Sequence, residues 1–361
     1  MWRRLKFPWH IGACQEGAQE RQLLLQWHIT ERCNLRCAHC YQEGYSGAEL
    51  PFNGIMNILG QYLELLKSWK GGSRRFGHIT VSGGEPFVRE DFFDILEVFR
   101  SHKKDFSFSI LTNGSLIDMK IAGRLSSLGP RFVQLSLEGK EATHDAIRGK
   151  GSYAKTVDAI RHLKKEGLRV LVSFTAHRAN YREFGAVAAI GRGLNVDRVW
   201  ADRLIPTGAG TGMLSQALTP VETREFLEIM KRSCRRSILA PFNRTEVSMK
   251  RALQFLFSGE RPYRCSAGDS LITIQSNGDL VPCRRMPIVA GNLTEAALAD
   301  LYNDSEIFKR LRDRSRVQEG CEGCLYSALC GGGLKCLSYA VTGSPFKADP
   351  GCWNRSQEKA V

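Results

Sequence analysis

The stretch best equipped for chemistry is Cys33-Asn34-Leu35-Arg36-Cys37-Ala38-His39-Cys40-Tyr41. Its cysteines follow C-x3-C-x2-C spacing, straight after an apolar, strand-like run from Leu23 to Ile29. Thiolates are the soft ligands that iron–sulfur clusters take. On a helix, positions 33, 37 and 40 would share one face but spread over roughly 10 Å at about 1.5 Å per residue. One small cluster cannot be gripped that way, so the chain must curl into a loop around it. Three ligands on a cube of four irons leave one iron open, and an open metal position is where chemistry can occur.

A second set of cysteines lies near the C-terminus: Cys265, Cys283, Cys321, Cys324, Cys330, Cys336 and Cys352. Zinc would explain Cys321-x2-Cys324 as a half-site, but not the unpaired triplet. A secreted disulfide framework would need export, and Met1-Trp2-Arg3-Arg4-Leu5-Lys6 has no long apolar stretch behind it, so no signal peptide is expected. Iron–sulfur ligation accounts for both groups and predicts an oxygen-poor cytoplasm. The chain has 361 residues, 43% of them apolar, and no run of membrane-spanning length, so a folded globular protein with one large core and a smaller domain is expected. The formal charge is +14, from basic groups at Arg161 to Lys165, Lys231 to Arg236 and Lys309 to Arg316. Most of these read as solvated helix faces. An acidic partner is the functional alternative, either an electron-donor protein or an acidic substrate. No recognition motif supports nucleic acid.

The elements that must position these sulfurs alternate apolar strands with amphipathic helices, the pattern of a parallel α/β layout. Residues 1–22 read as an arm, with Cys14 as a free thiol. The first helix is predicted from an Asn53 N-cap to Trp69, its core face being Ile55, Leu59, Tyr62, Leu66 and Trp69. Strands are predicted at 78–82, 106–111, 132–137, 169–175 and 197–204. Helices are predicted at 91–101, 117–128, 153–166, 181–191 and 220–235. With the first strand this makes six strand–helix units, too few for a closed eight-stranded barrel, so an open one is expected, with ligands at the C-terminal strand ends. After about 237 the pattern changes. A helix is predicted near Val247 to Phe257. A β-hairpin follows, Leu271 to Gln275 and Leu280 to Cys283, turning at Ser276-Asn277-Gly278-Asp279. The cysteine-rich remainder has little apolar mass and needs metal to stay folded.

C-x3-C-x2-C followed by an aromatic resembles the signature of the radical S-adenosylmethionine (SAM) enzymes. The C-terminal cysteines are similar to the SPASM extension of one subgroup. The resemblance covers about residues 23 to 355. It implies a partial (β/α)6 TIM-like barrel over 23–237 and a SPASM domain over 238–361. It also implies a SAM-binding 4Fe–4S cluster on Cys33, Cys37 and Cys40. Ser82-Gly83-Gly84-Glu85-Pro86 could be an ordinary strand-to-helix turn, but it resembles the family's GGEP motif, which implies SAM contacts from Gly83, Gly84, Glu85 and Pro86. Thr112-Asn113 looks like the third SAM-facing segment. Ser136 and Arg148 would hold ribose and carboxylate, a fork that a guanidinium suits. Tyr41 would pack near the adenine. Arg203, in Arg203-Leu204-Ile205-Pro206-Thr207-Gly208, would line adenine or substrate. Gly208-x-Gly210-x-Gly212 is too short for a dinucleotide fingerprint. His28 and His39 read as structural.

The same likeness assigns Cys321, Cys324, Cys330 and Cys352 to one auxiliary 4Fe–4S cluster and Cys265, Cys283 and Cys336 to another. Gly331, Gly332 and Gly333 would bring backbone N–H groups to the sulfides. Two features depart from the family pattern. Five residues separate Cys330 from Cys336 where three are usual, and no cysteine lies between Cys234 and Cys265. The Cys265 cluster then has an open iron or another ligand; Cys234 is a candidate, but on a predicted helix among arginines it reads as a bystander. The implied reaction is reductive SAM cleavage to a 5′-deoxyadenosyl radical that takes hydrogen from a peptide or protein, with a flavodoxin- or ferredoxin-type reductant. A tetrapyrrole-modifying enzyme is the alternative. A non-enzymatic zinc or electron-transfer protein is the rival from another class.

Overall fold

The computed structural model describes residues 22–68, 77–235, 244–259 and 261–354. The predicted arm apart from its last residue, Cys14, Trp69 and the 237/238 boundary lie outside the described residues. Ten strands form one sheet: β1 (Leu24–His28), β2 (Gly77–Ser82), β3 (Phe106–Leu111), β4 (Val133–Ser136), β5 (Val170–Ala176), β6 (Arg198–Arg203), β7 (Glu246–Ser248), β8 (Leu271–Ile274), β9 (Asp279–Val281) and β10 (Gly291–Asn292). Their order is β10-β9-β8-β1-β2-β3-β4-β5-β6-β7. Strands β1 to β8 pair in parallel, and β9 and β10 add an antiparallel edge. The sheet is thus an open barrel wall. Every residue of β2 is buried, as a parallel strand covered on both faces requires.

Helices cover the outside: α1 (Phe52–Ser68), α2 (Phe92–Ser101), α3 (Met119–Leu128), α4 (Glu141–Arg148), α5 (Ser152–Lys165), α6 (Phe184–Gly193) and α7 (Pro220–Ser233). In α1 the buried face is Ile55, Ile58, Leu59, Tyr62, Leu65 and Leu66, at helical spacing. Asn53 lies inside this helix, which begins at Phe52 directly after Pro51, two positions earlier than an Asn53 N-cap would place it. Helix α7 starts where Thr219 accepts from the Glu222 N–H and Glu222 reaches back to Thr219, with Pro220 at the first position.

One expectation about the second half is corrected. The helix predicted near Val247 to Phe257 is a strand, β7, and a single turn, α8 (Phe255–Ser258). Val247 pairs with Val199 of β6, and Leu253 takes a left-handed φ of 66° that no helix passes through. The hairpin expected at 271–283 forms, β8 pairing antiparallel with β9, and it joins the barrel. Its first strand, β8, pairs with β1 and continues the barrel sheet. Beyond it come α9 (Leu298–Asp304), α10 (Glu306–Arg312), α11 (Ser327–Cys330) and α12 (Lys335–Thr342).

Candidate active site

The loop between β1 and α1 carries Cys33, Cys37 and Cys40, and backbone from three other places grips it. From the turn after β2, Gly84 N–H donates to Thr30 O at 2.9 Å and Glu85 N–H to Arg32 O at 2.9 Å. Ala38 N–H donates to Ile147 O of α4 at 2.9 Å. Gly210, in the 3-10 segment after β6, donates to Cys40 O at 2.8 Å. Such close approach excludes side chains. A Cβ on Gly84 would stand 2.2 Å from Arg32 O, and one on Gly208 would stand 2.3 Å from the Tyr41 carbonyl. The Gly208-x-Gly210 pattern therefore packs against the cysteine loop.

Cys33, Cys37 and Cys40 line one open cleft at the C-terminal ends of the parallel strands. Tyr41, Gly83, Gly84, Thr112, Asn113, Ser136, Arg148 and Arg203 share its walls. The cleft holds about 1080 Å³ not filled by protein, its open mouth included, which is ample for a cofactor and a second molecule. Tyr41 places its hydroxyl 3.3 Å from His28 Nε2. Burial, with Arg284 nearby, holds His28 down at about 3, so this ring is neutral.

Two expected SAM contacts lie off the cleft walls, and a third lies on them with its charge already paired. Glu85 is fully buried, and its carboxylate accepts from Thr112 Oγ1 at 2.8 Å and Asn113 N–H at 2.7 Å. It ties the end of β2 to the end of β3, leaving Gly83 and Gly84 to face the cleft. Pro86 is buried at the start of the 3-10 turn Pro86–Val88 and also lies off the cleft walls. Arg203 reaches the cleft wall, but its guanidinium is held by both oxygens of Asp349, at 2.7 and 2.5 Å.

Glu138, at the end of β4, organises the charges. It is fully buried and accepts from Arg148 at 2.6 Å and from Thr175 N–H at 2.8 Å, with His39 Nε2 at 3.2 Å. Burial pushes its carboxyl up, but Arg148 and His39 outweigh burial and hold it well below the usual range. Arg148 in turn stands 3.9 Å from Cys37 Sγ. Leu35 N–H approaches Cys33 Sγ at 3.4 Å, and Asn113 Nδ2 lies 4.0 Å from it. Burial lifts Cys33 to about 11 and raises Cys37 as well. Thiols this buried ionise only against a strong positive charge, which iron supplies. With no disulfide among the three, the donor set fits a cluster.

The remaining walls were not singled out by motif. Ser173 and Trp200 extend the row of the expected contact Ser136 across β5 and β6, with Thr175 and Asp202 in a row beyond. The signal was available: polar residues at every second position in otherwise apolar strands. Arg284 and Arg285 also line the cleft, and only their place next to Cys283 could have pointed to them.

The second cysteine set divides in space. Cys321, Cys324, Cys330 and Cys352 line one small cavity with Gly332 and Asn354. Cys265, Cys283 and Cys336 meet in an apolar cluster with Ile205, Met286 and Leu334. Burial raises both Cys330, to about 11, and Cys336, and each is raised further by nearby carboxyl or thiol groups. Cys234 is exposed just beyond α7, and its thiol donates to Val247 O at 3.3 Å.

Comparison with known proteins agrees with this architecture. The family model of the radical SAM superfamily matches residues 27–188, and that of the SPASM iron–sulfur cluster-binding domain matches residues 265–325. An AdoMet-dependent heme synthase of Methanosarcina barkeri is 26% identical, over 93% of this chain and 97% of its own. The mycofactocin maturase MftC of Mycolicibacterium smegmatis is 28% identical, over 93% and 84%. Among solved structures, anSMEcpe with bound AdoMet and the Cp18Cys peptide superposes with a TM-score of 0.74 at 20% identity, covering 92% of this chain and 94% of that one. It shares the fold. The chain belongs to the radical SAM superfamily: it is an enzyme with a partial barrel and a SPASM domain, and its cofactors are a 4Fe–4S cluster, SAM and auxiliary iron–sulfur clusters.

Proposed function

We propose that the chain takes a hydrogen atom from a peptide or protein substrate and so matures it, by cross-linking, oxidation or epimerisation. One observation carries this reading. The cysteine loop, the glycine turn after β2, the ends of β3 and β4, and Arg148 converge on a single cleft with space left beside them. When bound, the cluster and SAM supply a 5′-deoxyadenosyl radical able to take hydrogen from an unactivated carbon.

The chain's own residues bind, orient and exclude water. Cys33, Cys37 and Cys40 would hold the cluster. Gly83 and Gly84 leave one wall open to close approach, and Thr112, Asn113 and Ser136 would contact SAM beside it. Arg148, balanced by Glu138, keeps positive charge at Cys37. Phe174, Leu204 and Ile205 give the far wall an apolar surface that keeps water from a reactive intermediate. Cys321, Cys324, Cys330 and Cys352 would hold one auxiliary cluster, and Cys265, Cys283 and Cys336 another. We place the barrel at 23–237 and the SPASM unit at 238–361. A flavodoxin- or ferredoxin-type donor would meet the chain's basic surface, in the cytoplasm. Among the described residues no helix is long and apolar enough to cross a membrane.

Likeness to the mycofactocin maturase supports a peptide substrate. A tetrapyrrole is the second reading, supported by likeness to the AdoMet-dependent heme synthase along 97% of its length. Anaerobic reconstitution and reduction with dithionite, followed by mass spectrometry, separates them. The peptide reading expects a mass change in a short peptide encoded beside this chain and none in coproporphyrin III or its iron complex. The reverse result would replace it.

A further inference from the structure

Four arginines line the cleft, and three have a carboxylate. Arg148 has Glu138 at 2.6 Å, Arg203 has Asp349 at 2.5 Å, and Arg285 has Asp202 at 3.0 Å. Arg284 is different. Among the described residues no carboxylate reaches it, and its Nη1 is buried without a hydrogen-bond partner. Its guanidinium carbon lies 5.7 Å from the centre of the Tyr41 ring. A guanidinium nitrogen shielded from water and left without an acceptor is unfavourable unless an anion arrives to complete it. The planar guanidinium fork matches a carboxylate. The same cleft offers apolar surface from Leu204, Ile205 and the Trp200 ring.

We infer that Arg284 is the anion-binding residue of the substrate subsite, and that the substrate carries a carboxylate on an apolar or flat body. This rests on the proposed function and narrows it. An acidic or C-terminal carboxylate of a peptide and a propionate of a tetrapyrrole share this chemistry, so the test carries both.

The test uses the anaerobically reconstituted, SAM-loaded full chain. Equilibrium binding is measured for coproporphyrin III against its tetramethyl ester, and for a fluorescent apolar peptide with a free C-terminus against its amide. The parent should prefer the acid of one pair by about tenfold or more, the size of a lost charge-assisted hydrogen bond. Arg284→Gln should erase that preference, and Arg284→Lys should restore part of it. The pair that discriminates names the source. No acid preference in either pair overturns the inference. So does a preference that survives Arg284→Gln, or a loss of SAM affinity in its place. If both variants lose auxiliary iron, Arg284 serves the cluster at Cys283 and the inference also fails. Release of 5′-deoxyadenosine by the parent checks the underlying reading separately, without reference to Arg284.

Discussion

Burial lifts the Glu85 carboxyl to about 7, against hydrogen bonds from Asn113, Thr112 and Phe87 that favour its ionised form. The native state therefore holds this proton across a window where the unfolded chain has lost it. Stability from this group grows as pH falls from about 7 toward the ordinary carboxyl value, and is lost as pH rises through 7. His28, held low by burial, contributes the opposite slope below neutrality, so only a difference between variants isolates Glu85. Glu85→Gln should gain less stability than the parent between pH 8 and pH 5, read from urea midpoints under anaerobic conditions. Equal slopes would show that Glu85 ionises as an exposed carboxyl does. At this scale the motif Gly83-Gly84-Glu85-Pro86 was legible, but the direction of its carboxylate was not. A strand-to-turn sequence does not say which of its residues turns inward, and Thr112 and Asn113, from the next strand, decide that.

At the scale of elements, the glycines of the cleft differ from those of the helices in what surrounds them. Gly84 abuts carbonyls of Glu31 and Arg32, whereas Gly60, exposed in α1, has nothing within 4 Å of its missing Cβ. Gly84→Ala must push the β2 turn away from the cysteine loop, at a cost of about 1–3 kcal/mol, and should lower iron bound at Cys33, Cys37 and Cys40. Gly60→Ala should instead raise stability by about 1 kcal/mol, since alanine is the better helix former. Chemical denaturation with iron counting checks both. Similar outcomes for the two variants would mean that the loop is not gripped as described. Strands β1 to β6 were readable because each is a short apolar run between helices of clear period. β7 was not. It is three residues long, and its pairing with β6 comes from contacts some 48 positions away, as in Arg198 with Glu246. Local periodicity carries no trace of such a partner.

Across the whole molecule, several long-range links join the barrel to the cysteine-rich end, and two of them reach its far parts. One is the pairing of β8 with β1. The other is the buried pair of Arg203, at the end of β6, with Asp349, three residues before Cys352. Asp349 also accepts from Leu334 N–H at 2.9 Å and Gly351 N–H at 2.9 Å, so it braces the loop that carries Cys352. Asp349→Asn leaves a buried guanidinium without its counter-charge. It should cost about 3–5 kcal/mol and release iron from the Cys321, Cys324, Cys330 and Cys352 set before the Cys33 set. Uniform loss from all sites in iron analysis and electron paramagnetic resonance would contradict this order. The cysteine groupings were legible from spacing and family likeness. The braces were not, because an ion pair spanning 146 positions leaves no local pattern.

The central claim is that Cys33, Cys37 and Cys40 hold a cluster that works on SAM in the cleft. Its most direct test is 5′-deoxyadenosine release by the reconstituted, reduced parent beside a Cys33, Cys37 and Cys40 to Ala variant that retains the SPASM cysteines. The account predicts release from the parent only, with the variant lacking about four irons, one cube's worth. Release from both, or an iron content unchanged by the substitutions, would contradict it.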